Sequence, residues 1–378
     1  TGKLLEAHGK DDEAVEAYVE ATKLAGDADL APALTAVTKL GQLAELATKA
    51  KNKPRATALR DRAEQIIAKI ADNAKKDPQL ALTLGMAYLL SNDAEKAELW
   101  LQRVVDLRPK DPDAHFQIAK AKSRLERYDE AIDSLQRALA LDANRVEIGI
   151  ELASTYEVSG RDQAAADLYA KLLATKDPSI ELRARAGRFY ARTNQLAKAG
   201  EQGDKIYEVD PTNAAGLYLK AEGALFANKV EDAAKFFRGA VDLDRNAQYL
   251  DGQGRAAEAQ VVQSGDVKFQ DVALRAYQGA SELAPTMFNP WAGMGRLYVA
   301  RREAAKAIPP LIAASKLREN EPDISRLIGL AYKELQEKKV AIEWLARAYK
   351  LEANAETAWN LGQLYNEANS PALAITAY

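Results

Sequence analysis

The sequence predicts an all-α protein built from a repeat of 34 residues, and three observations carry that prediction. An alanine that follows a polar turn recurs at Ala97, Ala131, Ala165, Ala199 and Ala233, each 34 residues after the last. The spacing stretches to 40 at Ala273, returns to 34 at Ala307 and Ala341, and is 33 at Ala374. Within each half-repeat the apolar residues recur at three and four, the period of a helix face. No stretch alternates apolar and polar residues long enough to be a strand.

Other columns move in register with that alanine. A small residue recurs at Gly85, Ala119, Ala153, Gly187, Ala221, Gly295, Gly329 and Gly362, with tyrosine three residues later at Tyr88, Tyr156, Tyr190, Tyr298, Tyr332 and Tyr365. Four residues after the marker comes a large residue: Leu101, Leu135, Tyr169, Phe237, Tyr277, Leu311, Leu345 or Tyr378. Small residues belong where two helices approach closely, and large ones fill the space between them. Turn residues Asn92, Gly160, Asn194 and Asn228 separate the halves. Asp77-Pro78, Asp111-Pro112, Asp177-Pro178 and Asp210-Pro211 read as helix starts, where Asp caps and Pro lacks only an unused donor.

Taken in order, residues 1–27 form a partial repeat with Gly2, Leu5, Gly9, Ala14, Tyr18 and Ala21 in the expected columns. Residues 28–77 form an irregular pair of longer helices, Leu30–Ala50 and Pro54–Lys76. Five regular repeats occupy 78–247, an expanded one 248–287, two regular ones 288–354, and a partial one 355–378. The expansion is expected in the inter-helix turn at Ser264–Gln270, because insertions in repeat arrays fall in loops. Pro309-Pro310 predicts a kink or a late helix start. Both ends fall inside a repeat, which reads as a segment of a longer chain, since terminal repeats carry polar caps.

This pattern resembles the tetratricopeptide repeat family. The resemblance rests on Leu84, Gly85, Tyr88, Ala97, Leu101, Val104 and Pro109 in one repeat, and Trp291, Met294, Gly295, Tyr298, Ala307, Leu311 and Ala314 in another. About ten or eleven such repeats cover nearly the whole chain. The resemblance implies an α-solenoid of stacked antiparallel helix pairs, a right-handed superhelix whose concave groove is lined by the first helix of each pair. It also implies a non-catalytic scaffold that binds a protein or peptide partner in that groove within a larger assembly. The alternative is a structural spacer in a bacterial cell-envelope machine for secretion, pilus assembly or motility.

Composition narrows the chemistry. With 52 Lys and Arg against 55 Asp and Glu, the net charge of −3 argues against a nucleic-acid partner. No apolar run reaches the roughly 18 residues of a membrane span, so no direct membrane insertion is expected. Zero cysteines exclude disulfides and thiolate chemistry, and two histidines, His8 and His115, leave little material for a metal or triad site. No catalytic residue, metal or cofactor is expected. His115 falls in a core column, and His8 just before a turn. The missing cysteines lean toward a bacterial periplasm or cell envelope, with the cytoplasm as the other setting.

In the resembled family the groove positions are the second, fifth, ninth, twelfth and nearby thirteenth of each repeat. By register these are Phe116, Lys120, Ser123 and Arg124, then Glu147, Ile150, Ser154 and Glu157, then Glu181, Ala184, Arg188 and Arg192. Further on come Tyr218, Glu222, Leu225 and Phe226, then Arg296, Arg326, Lys333, Trp359 and Asn366. Arg185, Arg188 and Arg192 share one helix face, and guanidinium forks suit carboxylates, so an acidic peptide is the complementary partner. Phe116, Tyr218 and Phe226 are candidate apolar anchors. The competing role for the arginines is pairing with Glu147, Glu151 and Glu222 on neighbouring repeats. The ninth positions Met86, Lys120, Ser154, Arg188, Glu222, Arg296, Leu330 and Gln363 hold no Asn, unlike the carboxylate clamp of chaperone-tail binders. The asparagine ladder of sugar-transferase arrays is also absent.

Overall fold

The computed structural model describes residues 2, 5, 10–25, 31–90 and 92–377. His8, Gly9 and Tyr378 of the sequence pattern lie outside the described residues. No strand occurs among the described residues. The chain is all-α, an α-solenoid of helix pairs in which each helix turns back on the one before it, and it divides into two compact units at Pro178 and Ser179.

The first compact unit holds α1 (Asp11–Ala25), α2 (Ala31–Lys49), α3 (Lys53–Ala74), α4 (Pro78–Leu90), α5 (Ala94–Leu107), α6 (Pro112–Arg124), α7 (Tyr128–Leu141), α8 (Val146–Val158) and α9 (Asp162–Leu173). The second holds α10 (Ile180–Arg192), α11 (Leu196–Val209), α12 (Ala214–Phe226), α13 (Val230–Leu243), α14 (Ala247–Ser264) and α15 (Lys268–Leu283). It continues through α16 (Phe288–Ala300), α17 (Ala304–Leu317), α18 (Pro322–Glu334), α19 (Lys338–Leu351), α20 (Ala355–Glu367) and α21 (Pro371–Ala377).

The columns meet as knobs and hollows. A Cβ on Gly85 would stand 2.5 Å from Leu101 Cγ, so the glycine is what admits the leucine between α4 and α5. Gly295 takes Leu311 and Gly329 takes Leu345 in the same way. Leu101, Leu311 and Leu345 are fully buried, each stabilising the array by about 1.5–3 kcal/mol. One repeat breaks the rule: Gly203 of α11 stands where the others carry a large residue. A Cβ there would lie 2.2 Å from the Lys220 backbone nitrogen, so α11 packs directly on the backbone of α12. Leu219 of α12 then fills the hollow at Gly187.

The turns between paired helices repeat one conformation. Asn92, Asn194 and Asn228 have φ of 58–59°, and Gly160 has φ 73°. Glu126, Arg302 and Gln336 adopt the same left-handed state, although their residue types gave no turn signal. In each case the next amide reaches back to close the helix end, as Arg127 N–H donates to the Lys122 carbonyl at 3.0 Å.

Three local expectations are corrected. The expanded repeat keeps a short turn, residues 265–267. Its extra length lies in α14, with 18 residues against 13 in α12, and in α15, with 16 against 14 in α13. Pro309 and Pro310 do not delay α17, which starts at Ala304 and runs through both. Asp77-Pro78 and Asp111-Pro112 begin helices, but Asp177-Pro178 and Asp210-Pro211 sit before them, where Ser179 and Asn213 supply the caps instead.

Candidate functional site

In the first compact unit, Lys120, Ser123 and Arg124 of α6 face Glu151, Ser154, Thr155 and Val158 of α8 across a cleft of about 440 Å³, closed by Leu89 and Tyr128. The local sequence explains the placement. Asp111 caps α6 by accepting from the Asp113 amide at 2.9 Å, and Pro112 starts it. One turn then separates Lys120 from Arg124 along the same face. The Lys120 ammonium sits 4.2 Å from the centre of the Phe116 ring. Arg124 Nη1 donates to the Leu89 carbonyl at the end of α4, which anchors the guanidinium at the cleft. The Ser123 hydroxyl is buried and makes no hydrogen bond. Two cations against the single carboxylate of Glu151 leave the lining positive.

In the second compact unit the three arginines share α10 but diverge in use. Arg185 pairs with Glu181 at 3.5 Å one turn back, and Arg192 lies 5.4 Å from the centre of the Phe189 ring. Arg188 is exposed near Tyr249. Burial pushes the Tyr249 hydroxyl pKa upward, opposed by Asn246 and by the charge of Arg188. Glu222 does not pair with these arginines. It accepts from both terminal nitrogens of Arg255 on α14, whose Nε also donates to Asp251 at 3.1 Å.

Asp251 and Arg255 are the residues that register-counting missed. Counted back from Ala273, the longer α14 throws them out of column. Counted forward from the Asn246 cap, which accepts from the Tyr249 amide at 3.0 Å, they fall at the fifth and ninth positions. Burial raises the Asp251 pKa most, the Arg255 guanidinium opposes it, and the charge of Glu222 adds to the rise.

Three expected contact residues are corrected. Phe116, Tyr218 and Glu222 are buried, Glu222 to 2% exposure, so none offers its side chain to a partner. Tyr218 is covered by Tyr249, stacked 5.0 Å away, and accepts from Gln248 at 3.0 Å. Phe226 is the reverse case, 61% exposed at the end of α12. Arg296 pairs with Glu258 at 3.5 Å, and Arg326 with Asp323 at 3.1 Å and Glu356 at 3.4 Å. Lys333 donates to Asn360 and Gln363, each at 2.7 Å, and Trp359 is 58% exposed. His115 is buried and bonded to the Pro109 carbonyl at 2.9 Å.

Among the described residues no His, Asp or Glu side chains converge as a metal-ligand group. No described helix is long and apolar enough to cross a membrane.

In sequence, residues 58–138 match the family described as anaphase-promoting complex, cyclosome, subunit 3. Residues 116–180 and 327–354 match tetratricopeptide repeat families. No protein of curated function matches the chain in sequence. In structure, the chain is similar to a tetratricopeptide repeat protein from Parabacteroides merdae, at 17% identity and a TM-score of 0.53, over 67% of this chain and 98% of that one. The APC/C hetero-tetramer Cut9–Hcn1 aligns at 16% identity and a TM-score of 0.48, over 100% of this chain and 84% of that one. YrrB, a tetratricopeptide protein with an unusual peptide-binding site, aligns at 17% identity and a TM-score of 0.40, over 54% of this chain and 98% of that one. Residues 116–180 and 327–354 are therefore tetratricopeptide repeats in sequence, and the 34-residue period and the fold carry the same pattern along the chain.

Proposed function

We propose that this chain is a non-catalytic interaction scaffold that holds an acidic segment of a partner protein, with Lys120, Ser123, Arg124 and Ser154 as the contact. The tetratricopeptide fold supports the coarser part of the reading, a protein-interaction scaffold, because a solenoid offers long open surfaces rather than an enclosed pocket. The observation that carries the finer part is the cleft between α6 and α8. There, four expected groove residues line one open space with a positive excess. A carboxylate entering it would take charge-assisted hydrogen bonds from Lys120 and Arg124.

The test is fluorescence anisotropy with a labelled decapeptide of Asp and Glu, and its Asn and Gln counterpart, titrated with the full chain. Saturable binding of the acidic peptide alone is expected, weakened about tenfold or more by Lys120→Glu with Arg124→Glu, which amounts to about 1.4 kcal/mol. Equal binding to the double variant would remove this cleft as the contact.

A further inference from the structure

A second cleft lies in the other compact unit, between α11, α12 and α13, with a volume of about 520 Å³. Its shape follows from glycine. Gly200 and Gly223 bring the backbones of α11 and α12 together, so the floor is main chain with Ala197 and Ala224 beside it. Phe226 and Phe236 stand as walls, and Phe226 is among the most exposed aromatic side chains described.

The rim is acidic. Asp204 is already engaged by Lys220, whose ammonium also sits 5.0 Å from the Tyr207 ring centre and 5.1 Å from that of Phe236. Lys220 is thereby held within the protein. Glu201 and Asp232 are exposed and make no ion pair among the described residues. Lys229, at the turn, is the remaining cation of the lining. The cleft therefore presents an apolar floor and aromatic walls under two uncommitted carboxylates.

We infer that this cleft is a docking site for a short partner segment that carries an apolar side chain next to a lysine or arginine. The apolar group covers Phe226 and the glycine floor, where burial is favourable in proportion to area. The cation meets Glu201 and Asp232, and an acidic segment is repelled by the same pair. The site shares no residue with the cleft at Lys120 and selects the opposite charge, so either assignment can fail without the other.

Random dodecapeptides displayed on phage and selected against the full chain test it, with enriched peptides synthesised and measured by anisotropy. Enrichment of an apolar residue within three positions of Lys or Arg is expected. Phe226→Ala should raise Kd about thirtyfold, as for a buried aromatic anchor. Glu201→Gln with Asp232→Asn should weaken binding and flatten its salt dependence. Ala197→Trp, placed at an exposed position, fills the cleft and should abolish binding while circular dichroism stays unchanged. Lys120→Glu with Arg124→Glu should leave Kd unchanged. Failure to enrich any peptide, enrichment of peptides lacking a basic residue, or full binding to a folded Ala197→Trp variant would overturn the assignment.

Discussion

Gly200 and Gly223 put two helix backbones in contact: a Cβ on Gly223 would stand 2.5 Å from the Gly200 Cα. Neither atom belongs to a flexible side chain, so nothing can swing aside to make room. At an ordinary helix position, Gly→Ala stabilises by about 1 kcal/mol. Here the sign should reverse. Gly223→Ala and Gly203→Ala are expected to destabilise by roughly 1–3 kcal/mol through overpacking. Urea melts of the full chain check this, and stabilisation by either substitution would contradict the packing described.

The turn geometry makes a prediction of the opposite sign. Glu126 at φ 59° and Gln336 at φ 62° occupy the left-handed state that costs a side-chain-bearing residue about 1–2 kcal/mol. Glu126→Gly and Gln336→Gly should each stabilise by about 0.5–1 kcal/mol, the loss of unfolded-state restriction offsetting part of the gain. Gly160→Ala should destabilise by a similar amount. Thermal or urea unfolding that ranked the variants the other way would reject the shared turn conformation.

The buried Asp251 gives a pH dependence with a definite sign. Burial, with the charge of Glu222 and against that of Arg255, holds its pKa above the ordinary carboxylate value of 3.8. A group raised on folding contributes stability that is fully present below its unfolded pKa and is lost as pH rises through its folded pKa. Asp251→Asn cannot titrate and can still accept from Arg255 Nε. It should therefore gain stability on the wild type as pH rises from about 4. Arg255→Met, by contrast, strands Glu222 and Asp251 without their cation and should cost roughly 3–5 kcal/mol near neutral pH. Urea melts from pH 4 to 8 measure both. A wild type that gains on Asp251→Asn with rising pH would show that Arg255, rather than burial, sets the Asp251 carboxyl.

Helix content was legible because it depends on residues three and four apart, and the repeat period because the same columns return every 34 residues. Leu101 answers Gly85 at a fixed separation, so a column in the sequence is a contact in the structure. Glu126 and Gln336 were missed as left-handed residues because position in the repeat, rather than side-chain chemistry, puts them there. The candidate site was half legible. Lys120, Ser123, Arg124 and Ser154 do line one cleft. Phe116, Tyr218 and Glu222 carry groove register yet are buried, because Tyr249 and Arg255, some thirty residues away, cover two of them and Lys120 and Arg145 lie over the ring of the third.

The sequence by itself determined that the chain is a helical repeat array, which repeat departs from the 34-residue step, and which residue types recur along each helix. Those properties are local, written in spacings that a helix turns directly into faces. Only the tertiary structure decided which charged groups are spent inside the protein and which stay open. It also decided that Gly203, a gap in a column, becomes a backbone contact with Phe226 and Phe236 walling an acidic-rimmed cleft nearby. The physical reason is that burial and ion pairing are set by whatever packs opposite, and no spacing along one helix records what the next helix brings to meet it.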